Sequence, residues 1–104
     1  GTVTHMPPEL FRLEGCALTK KVDVYAFGII LWQLCTGRIP FEGFQPAQVV
    51  VMVASGRTLA LPPTAPEFLQ RIFHQASARL PERRPDFDRL ASEFVELALS
   101  PEKG

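Results

Sequence analysis

A net charge is absent from this chain, because 11 basic and 11 acidic residues cancel over its 104 positions. A balanced surface gives no basic field to hold nucleic acid or anionic lipid, so neither is expected as a partner. Cysteine is scarce, with only Cys16 and Cys35, far apart and the second inside an apolar run. That usage fits reduced thiols in an intracellular, cytoplasmic protein and argues against a disulfide or metal pair. His5 and His74 have no second His or Cys at ligand spacing, so no metal site is expected. No apolar run reaches the roughly 20 residues of a membrane span. A Gly-rich phosphate loop, a nucleophile elbow and a paired His and carboxylate are all missing. The opening Gly1-Thr2-Val3-Thr4-His5 lacks a signal peptide's basic start and apolar stretch, and it lacks an initiator methionine, so it reads as the middle of a longer protein. Ten prolines are spread as punctuation, without a repeat or a low-complexity tract.

What is present is ordinary globular composition, 46% hydrophobic and 21% charged, enough for one small domain or a piece of a larger one. The chain is organised around Asp23-Val24-Tyr25-Ala26-Phe27-Gly28-Ile29-Ile30-Leu31-Trp32-Gln33-Leu34-Cys35. Its length favours a helix, and Gln33 is the lone polar side chain after Asp23, so no polar face remains. Such a helix is expected to be buried on all sides. It carries a carboxylate at its entry, and Asp23 must find donors there or take up a proton.

Around this rod the pattern predicts short helices and turns. Residues 1–6 read as extended or loop ahead of Pro7-Pro8, and residues 8–13 as a short helix. Thr19 is a candidate N-cap for the central helix, and Gly37, followed by Pro40, is its expected stop. Phe41-Glu42-Gly43-Phe44 reads as a turn. Residues 46–55 predict a second helix, although the β-branched Val49-Val50-Val51-Met52-Val53 leaves a strand open. Thr64-Ala65-Pro66-Glu67 has the spacing of a capping box. The helix it opens sets Phe68, Leu69, Ile72, Phe73 and Ala76 on one face. Residues 79–85 form an arginine-rich loop. Asp86 is placed to cap a last helix with Phe87, Leu90, Ala91, Phe94 and Ala98 on one stripe. The expected class is mainly α, about four helices with a buried central one and no sheet of note.

Three motifs carry a resemblance. Gly1-Thr2-Val3-Thr4-His5-Met6-Pro7-Pro8-Glu9, the stretch from Asp23 to Trp32, and Pro81-Glu82-Arg83-Arg84-Pro85-Asp86-Phe87 stand in the order and at the spacing of the last third of a eukaryotic protein kinase domain. The aromatic Asp-Val-Tyr-x-Phe-Gly followed by Trp resembles the tyrosine-kinase-like group of Ser/Thr kinases. The resemblance implies a partial kinase domain over 1–98, the helical C-terminal portion of the large lobe, with a tail over 99–104. It implies that Gly1 and Thr2 belong to the loop that receives the substrate residue beside the phosphoacceptor, and Thr2 points to Ser/Thr specificity. Glu9 and Arg84 match a buried ion pair that ties the end of the activation segment to the loop before the last helix, with Arg83 as rival partner. Asp23 matches the aspartate that accepts backbone amides of the catalytic loop, the alternative being a partner for the helix dipole. Trp32 matches a structural position. The chain departs from the family at Pro7, Val22, Ala26 and His74-Gln75, the marks of a divergent member. Pro63-Thr64-Ala65-Pro66 also spells a short motif bound by ubiquitin-E2-variant domains, for which a helix cap is the simpler account.

The groups that handle ATP and magnesium in such kinases all precede Gly1 in family order. The chain alone is therefore expected to bind no ATP, magnesium or other cofactor and to be inactive. Its expected partners are the upstream remainder of the kinase domain and, in the intact parent, a protein substrate. Without that remainder, part of the central helix and Asp23 should lack partners. Two rivals stay open: a pseudokinase or truncated product acting as a helical binding module, and an unrelated helical adaptor in which Glu9 and Arg84 would lie far apart.

Overall fold

A computed structural model describes residues 3–11 and 20–99, the latter without the side chains at 97 and 98. Among the described residues four helices carry the fold: α1 (Lys21–Thr36), α2 (Pro46–Ala54), α3 (Glu67–Ala76) and α4 (Phe87–Ala98). Single 3-10 turns lie ahead of α1 at Val3–His5 and Pro8–Phe11 and between α3 and α4 at Pro81–Arg83, and no strand occurs among the described residues. The proposed cap Thr19, the connection around Cys16, the side chain of Ala98 and the tail from 100 lie outside the described residues.

Helix α1 is the central element, packed chiefly on α3. The core gathers Val24, Leu31 and Trp32 of α1 with Leu61, then Ile72, Phe73 and Ala76 of α3 and Leu90 of α4. Gly28 permits this approach. A Cβ there would stand 3.1 Å from Ala76 Cβ and 3.3 Å from the Ser77 backbone nitrogen, so α3 would have to give by a few tenths of an ångström to admit one. The Trp32 indole N–H donates to the Ala60 carbonyl at 3.0 Å, which fastens the loop between α2 and α3 to the central helix. At its end α1 stops as its sequence predicts. Gly37 is left-handed at φ 67°, and its N–H reaches the Gln33 carbonyl at 2.8 Å.

Helix α2 settles the helix-or-strand alternative in favour of helix, with Pro46 at its first turn and reciprocal bonds between Gln45 and Gln48 at its start. Arg79 covers its other end, donating to the carbonyls of Ala54 at 2.8 Å and Val53 at 3.4 Å, where a cation suits the dipole.

Three expectations need correction. Residues 3–5 make a 3-10 turn closed by Met6 N–H to the Val3 carbonyl at 3.2 Å, because the restriction from Pro7 reaches Met6 alone. Residues 8–11 form the expected short helix as a 3-10 turn, residues 12 and 13 lying outside the described residues. Thr64 does not cap α3: Pro66 is the N-cap and no side chain caps it. A cap at 64 would need Ala65 in helical geometry just before a proline, which sterics disfavour. The segment instead turns at Pro62, whose carbonyl accepts from Ala65 N–H at 2.9 Å and from Gln70 Nε2 at 2.8 Å. Finally, α1 is not buried all round. Val24, Tyr25, Ile29 and Trp32 are buried, but Ile30 is 47% and Leu34 78% exposed, and Asp23 is exposed too. Positions 23, 30 and 34 are exposed along one flank of the helix, while Phe27 between them packs edge-on against Phe87 of α4, ring centroids 6.0 Å apart.

Candidate functional site

Arg84 follows the Pro81–Arg83 turn and is the largest fully buried side chain among the described residues, 1% exposed. Such a cation needs an acceptor for every N–H, and it has them. Nη1 donates to Glu9 Oε2 at 2.7 Å and Nη2 to Glu9 Oε1 at 2.9 Å, a two-pronged pair. The remaining N–H groups reach the carbonyls of Lys21 at 3.1 Å, Arg79 at 3.2 Å and, from Nε, Ala78 at 2.7 Å. Glu9 is 5% exposed in the Pro8–Phe11 turn. A planar fork on a carboxylate fixes direction as well as charge, so the pair locks the opening segment to the loop before α4. Arg83, the rival partner, is exposed.

Tyr25 of α1 completes the cluster, its ring 5.0 Å from the guanidinium carbon of Arg84. Burial pushes its hydroxyl above the ordinary phenol range, and Glu9 adds to this, while the Arg84 charge opposes it. Lys21 closes the outer side. Its ammonium donates to the Arg84 carbonyl and pairs with Asp86 at 2.9 Å. The Lys21 hydrogen bond and charge hold the exposed Asp86 carboxyl below its ordinary value. Asp86 stands ahead of α4, and its backbone carbonyl accepts from Leu90 N–H at 2.9 Å.

Asp23 heads α1 in its first turn, where a carboxylate meets the positive end of the helix dipole. It makes no side-chain hydrogen bond or ion pair among the described residues, and its exposure leaves it to water. Gly1 and Thr2 lie outside the described residues. The turn that follows them is joined to α1 by His5, whose Nε2 donates to Gln33 Oε1 at 2.7 Å, with Thr4 Oγ1 3.0 Å from Nδ1. Among the described residues no three His, Cys, Asp or Glu side chains are grouped to hold a metal ion, and no helix is long and apolar enough to cross a membrane.

A model of the protein tyrosine and serine/threonine kinase family matches residues 1–94. The chain belongs to this family. It is 36% identical over 93 residues to the serine/threonine/tyrosine-protein kinase HT1 of Arabidopsis thaliana, covering 88% of this chain and 23% of that protein. It is 38% identical over 88 residues to human mitogen-activated protein kinase kinase kinase 11, covering 84% of this chain and 10% of the relative. A Drosophila melanogaster mitogen-activated protein kinase kinase kinase matches at 34% over 101 residues, 96% of this chain and 8% of that protein. The chain thus spans less than a quarter of the length of these relatives.

Within this kinase fold, the structure brings Glu9 and Arg84 together and seats Trp32 in the core, while Asp23 stays apart from both. Sequence reading missed three participants. Tyr25 passed as one more apolar residue, although a tyrosine in a core needs a polar neighbour. Lys21 and Gln33 gave only a weak signal, each a polar side chain on an otherwise apolar helix.

Proposed function

We propose that this chain is the C-terminal part of the large lobe of a Ser/Thr protein kinase, and that the whole protein transfers the γ-phosphate of ATP to Ser or Thr of a protein substrate in the cytoplasm. The Glu9–Arg84 pair carries the reading. It joins two family motifs 75 positions apart with every guanidinium N–H used, as a latch between activation segment and lobe would require. Thr2, in the substrate-side loop with Gly1, supports Ser/Thr specificity.

On this reading the open stripe of α1 is the seat of the upstream remainder of the domain, with Asp23 offering its carboxylate to backbone amides there. The exposure of Ile30 and Leu34 supports that assignment. An uncovered apolar flank on a central helix marks a surface built for contact. ATP and magnesium belong to that remainder as well. The described residues do not fit them, having no grouped carboxylates for the metal and no cradle for phosphates, so no step of the transfer is routed through this chain. What its own residues do is hold the substrate-side loop and brace the lobe.

The test is phosphotransfer by the full-length protein from magnesium and labelled ATP to a general protein substrate, followed by acid hydrolysis. Labelled phosphoserine or phosphothreonine is expected. Nucleotide binding without transfer, or neither, would favour a pseudokinase whose helical surface binds other proteins.

A further inference from the structure

Helix α2 has nine residues, and Val49, Val50, Val51 and Val53 crowd its second half. So short and β-branched a helix gains little from its own backbone. Its body is held by the burial of Val49 and Val53. Its last turn closes on a left-handed glycine. Gly56, at φ 103°, donates its N–H to the Val53 carbonyl at 3.1 Å, and Arg57 N–H reaches the Met52 carbonyl at 2.9 Å. The Ala54 carbonyl is taken by Arg79 Nη2 at 2.8 Å, from an exposed side chain in the loop after α3. The same residue is gripped from behind. Its backbone carbonyl accepts from Arg84 Nη2 at 3.2 Å, and the carbonyl of Ala78 before it accepts from Nε at 2.7 Å. Those donors point where they do because the two prongs on Glu9 set the guanidinium plane. Arg79 thus has its carbonyl on the latch and its side chain on the end of α2. Helix α2 also packs on the Pro8–Phe11 turn that carries Glu9, so the path closes into a ring.

We propose that Arg79 couples the last turn of α2 to the Glu9–Arg84 latch, so that order at the end of α2 depends on whether the latch is closed. Without the Glu9 charge, Arg84 is an uncompensated buried cation and turns toward water. The carbonyls of Ala78 and Arg79 then lose its donors. The backbone at 79 is released, and the grip on Ala54 goes with it. Such coupling is reciprocal, so loss of the grip must loosen the latch in turn. The geometry stands by itself, while its use rests on the kinase reading above. There Glu9 ends the activation segment, and α2 registers whether that end is latched.

The experiment follows hydrogen exchange in the full-length protein, wild type against Glu9→Gln, Arg79→Met and the two combined. Amides of residues 55–57 read the end of α2. Gly37 serves as the internal standard, because it closes α1 with the same left-handed geometry and its N–H goes to Gln33. Exchange at a helix end reports local fraying, and a general loss of stability would move both ends alike. Each single variant should speed exchange at 55–57 about fivefold, the factor carried by one hydrogen bond of ordinary net strength, and leave Gly37 within about twofold. The double variant should be no faster than either single, because both substitutions cut one path. Independent effects would multiply to about 25-fold. That product, an unmoved α2 end in Glu9→Gln, or equal acceleration at Gly37 overturns the proposal. Should Glu9→Gln fail to fold, the exposed Arg79→Met still decides. Exchange at Leu10, whose N–H donates to the Pro7 carbonyl at 3.1 Å in the turn that carries Glu9, should rise in that variant. An unmoved Leu10 overturns the proposal as well. A wild type without phosphotransfer that shows these changes supports the coupling and counts against the kinase reading alone.

Discussion

Arg84→Met tests the latch with little disturbance of volume, since the thioether fills most of the channel left by the arginine stem. The variant loses both prongs to Glu9 and the donors to the Lys21, Ala78 and Arg79 carbonyls. It also strands a carboxylate that is 5% exposed. Removing one partner of a buried ion pair costs about 3–5 kcal/mol, mostly because the other charge is left uncompensated. Whole-domain stability is about 5–15 kcal/mol, so this is a large share of it. With a urea slope of about 1–2 kcal/mol/M for a chain this size, the midpoint should fall by about 2–3 M. Fluorescence of Trp32, the lone tryptophan and a core residue, follows the transition. A double variant, Glu9→Leu with Arg84→Met, should recover much of the loss, because apolar replacement of a whole buried pair is often neutral. A single variant whose midpoint stays within about 0.3 M of wild type would refute the buried latch. A double variant no better than the single would refute the stranded charge as the cause.

Three further outcomes follow from the same contacts. Gly28→Val should destabilise by about 1–3 kcal/mol in thermal melts, because its Cβ meets Ala76 and the Ser77 backbone, and overpacking of this kind is relieved only by shifting α3. Asp86 has a depressed folded value, so its contribution is present above the ordinary carboxyl range and is lost as pH falls through the folded value. Asp86→Asn should therefore flatten the acid limb of stability against pH below about 4. Tyr25 runs the other way. Its folded value is raised by burial, so stability is complete below the ordinary phenol value of 10.0 and declines as pH rises above it. Tyr25→Phe should remove that decline, read by denaturation between about pH 9 and 11.

Much of the architecture was legible because local chemistry and tertiary packing agreed. Gly37 stops α1 where a left-handed residue was needed, and α3 buries the Ile72, Phe73 and Ala76 face that its period marks out. Glu9 and Arg84 were legible as a pair through motif order alone, since nothing local to either residue says that it is buried. The failures have local causes. The hydroxyl-to-Glu spacing at Thr64 suggested a cap, but Pro66 dictated where α3 could start. The last helix showed a clean stripe, yet among its described side chains only Leu90 is fully buried, while Phe87, beside Phe27, is 43% exposed and Ala91 is exposed too. Apolarity marks what a residue prefers to touch and not whether a neighbour is at hand. The same distinction explains α1, whose sequence asks for cover on every side and whose Asp23, Ile30 and Leu34 flank has none among the described residues.

That flank is where the central claim, a kinase scaffold that seats the rest of its domain on α1, meets experiment most directly. Hydrogen exchange of the α1 amides should be compared between this chain alone and the full-length protein. Exchange should slow by about two orders of magnitude or more along α1 in the full-length protein, as about 3 kcal/mol of added burial requires. It should slow less when Leu34→Glu places a charge in the seat. Equal exchange in the two contexts, unaltered by Leu34→Glu, would contradict the account.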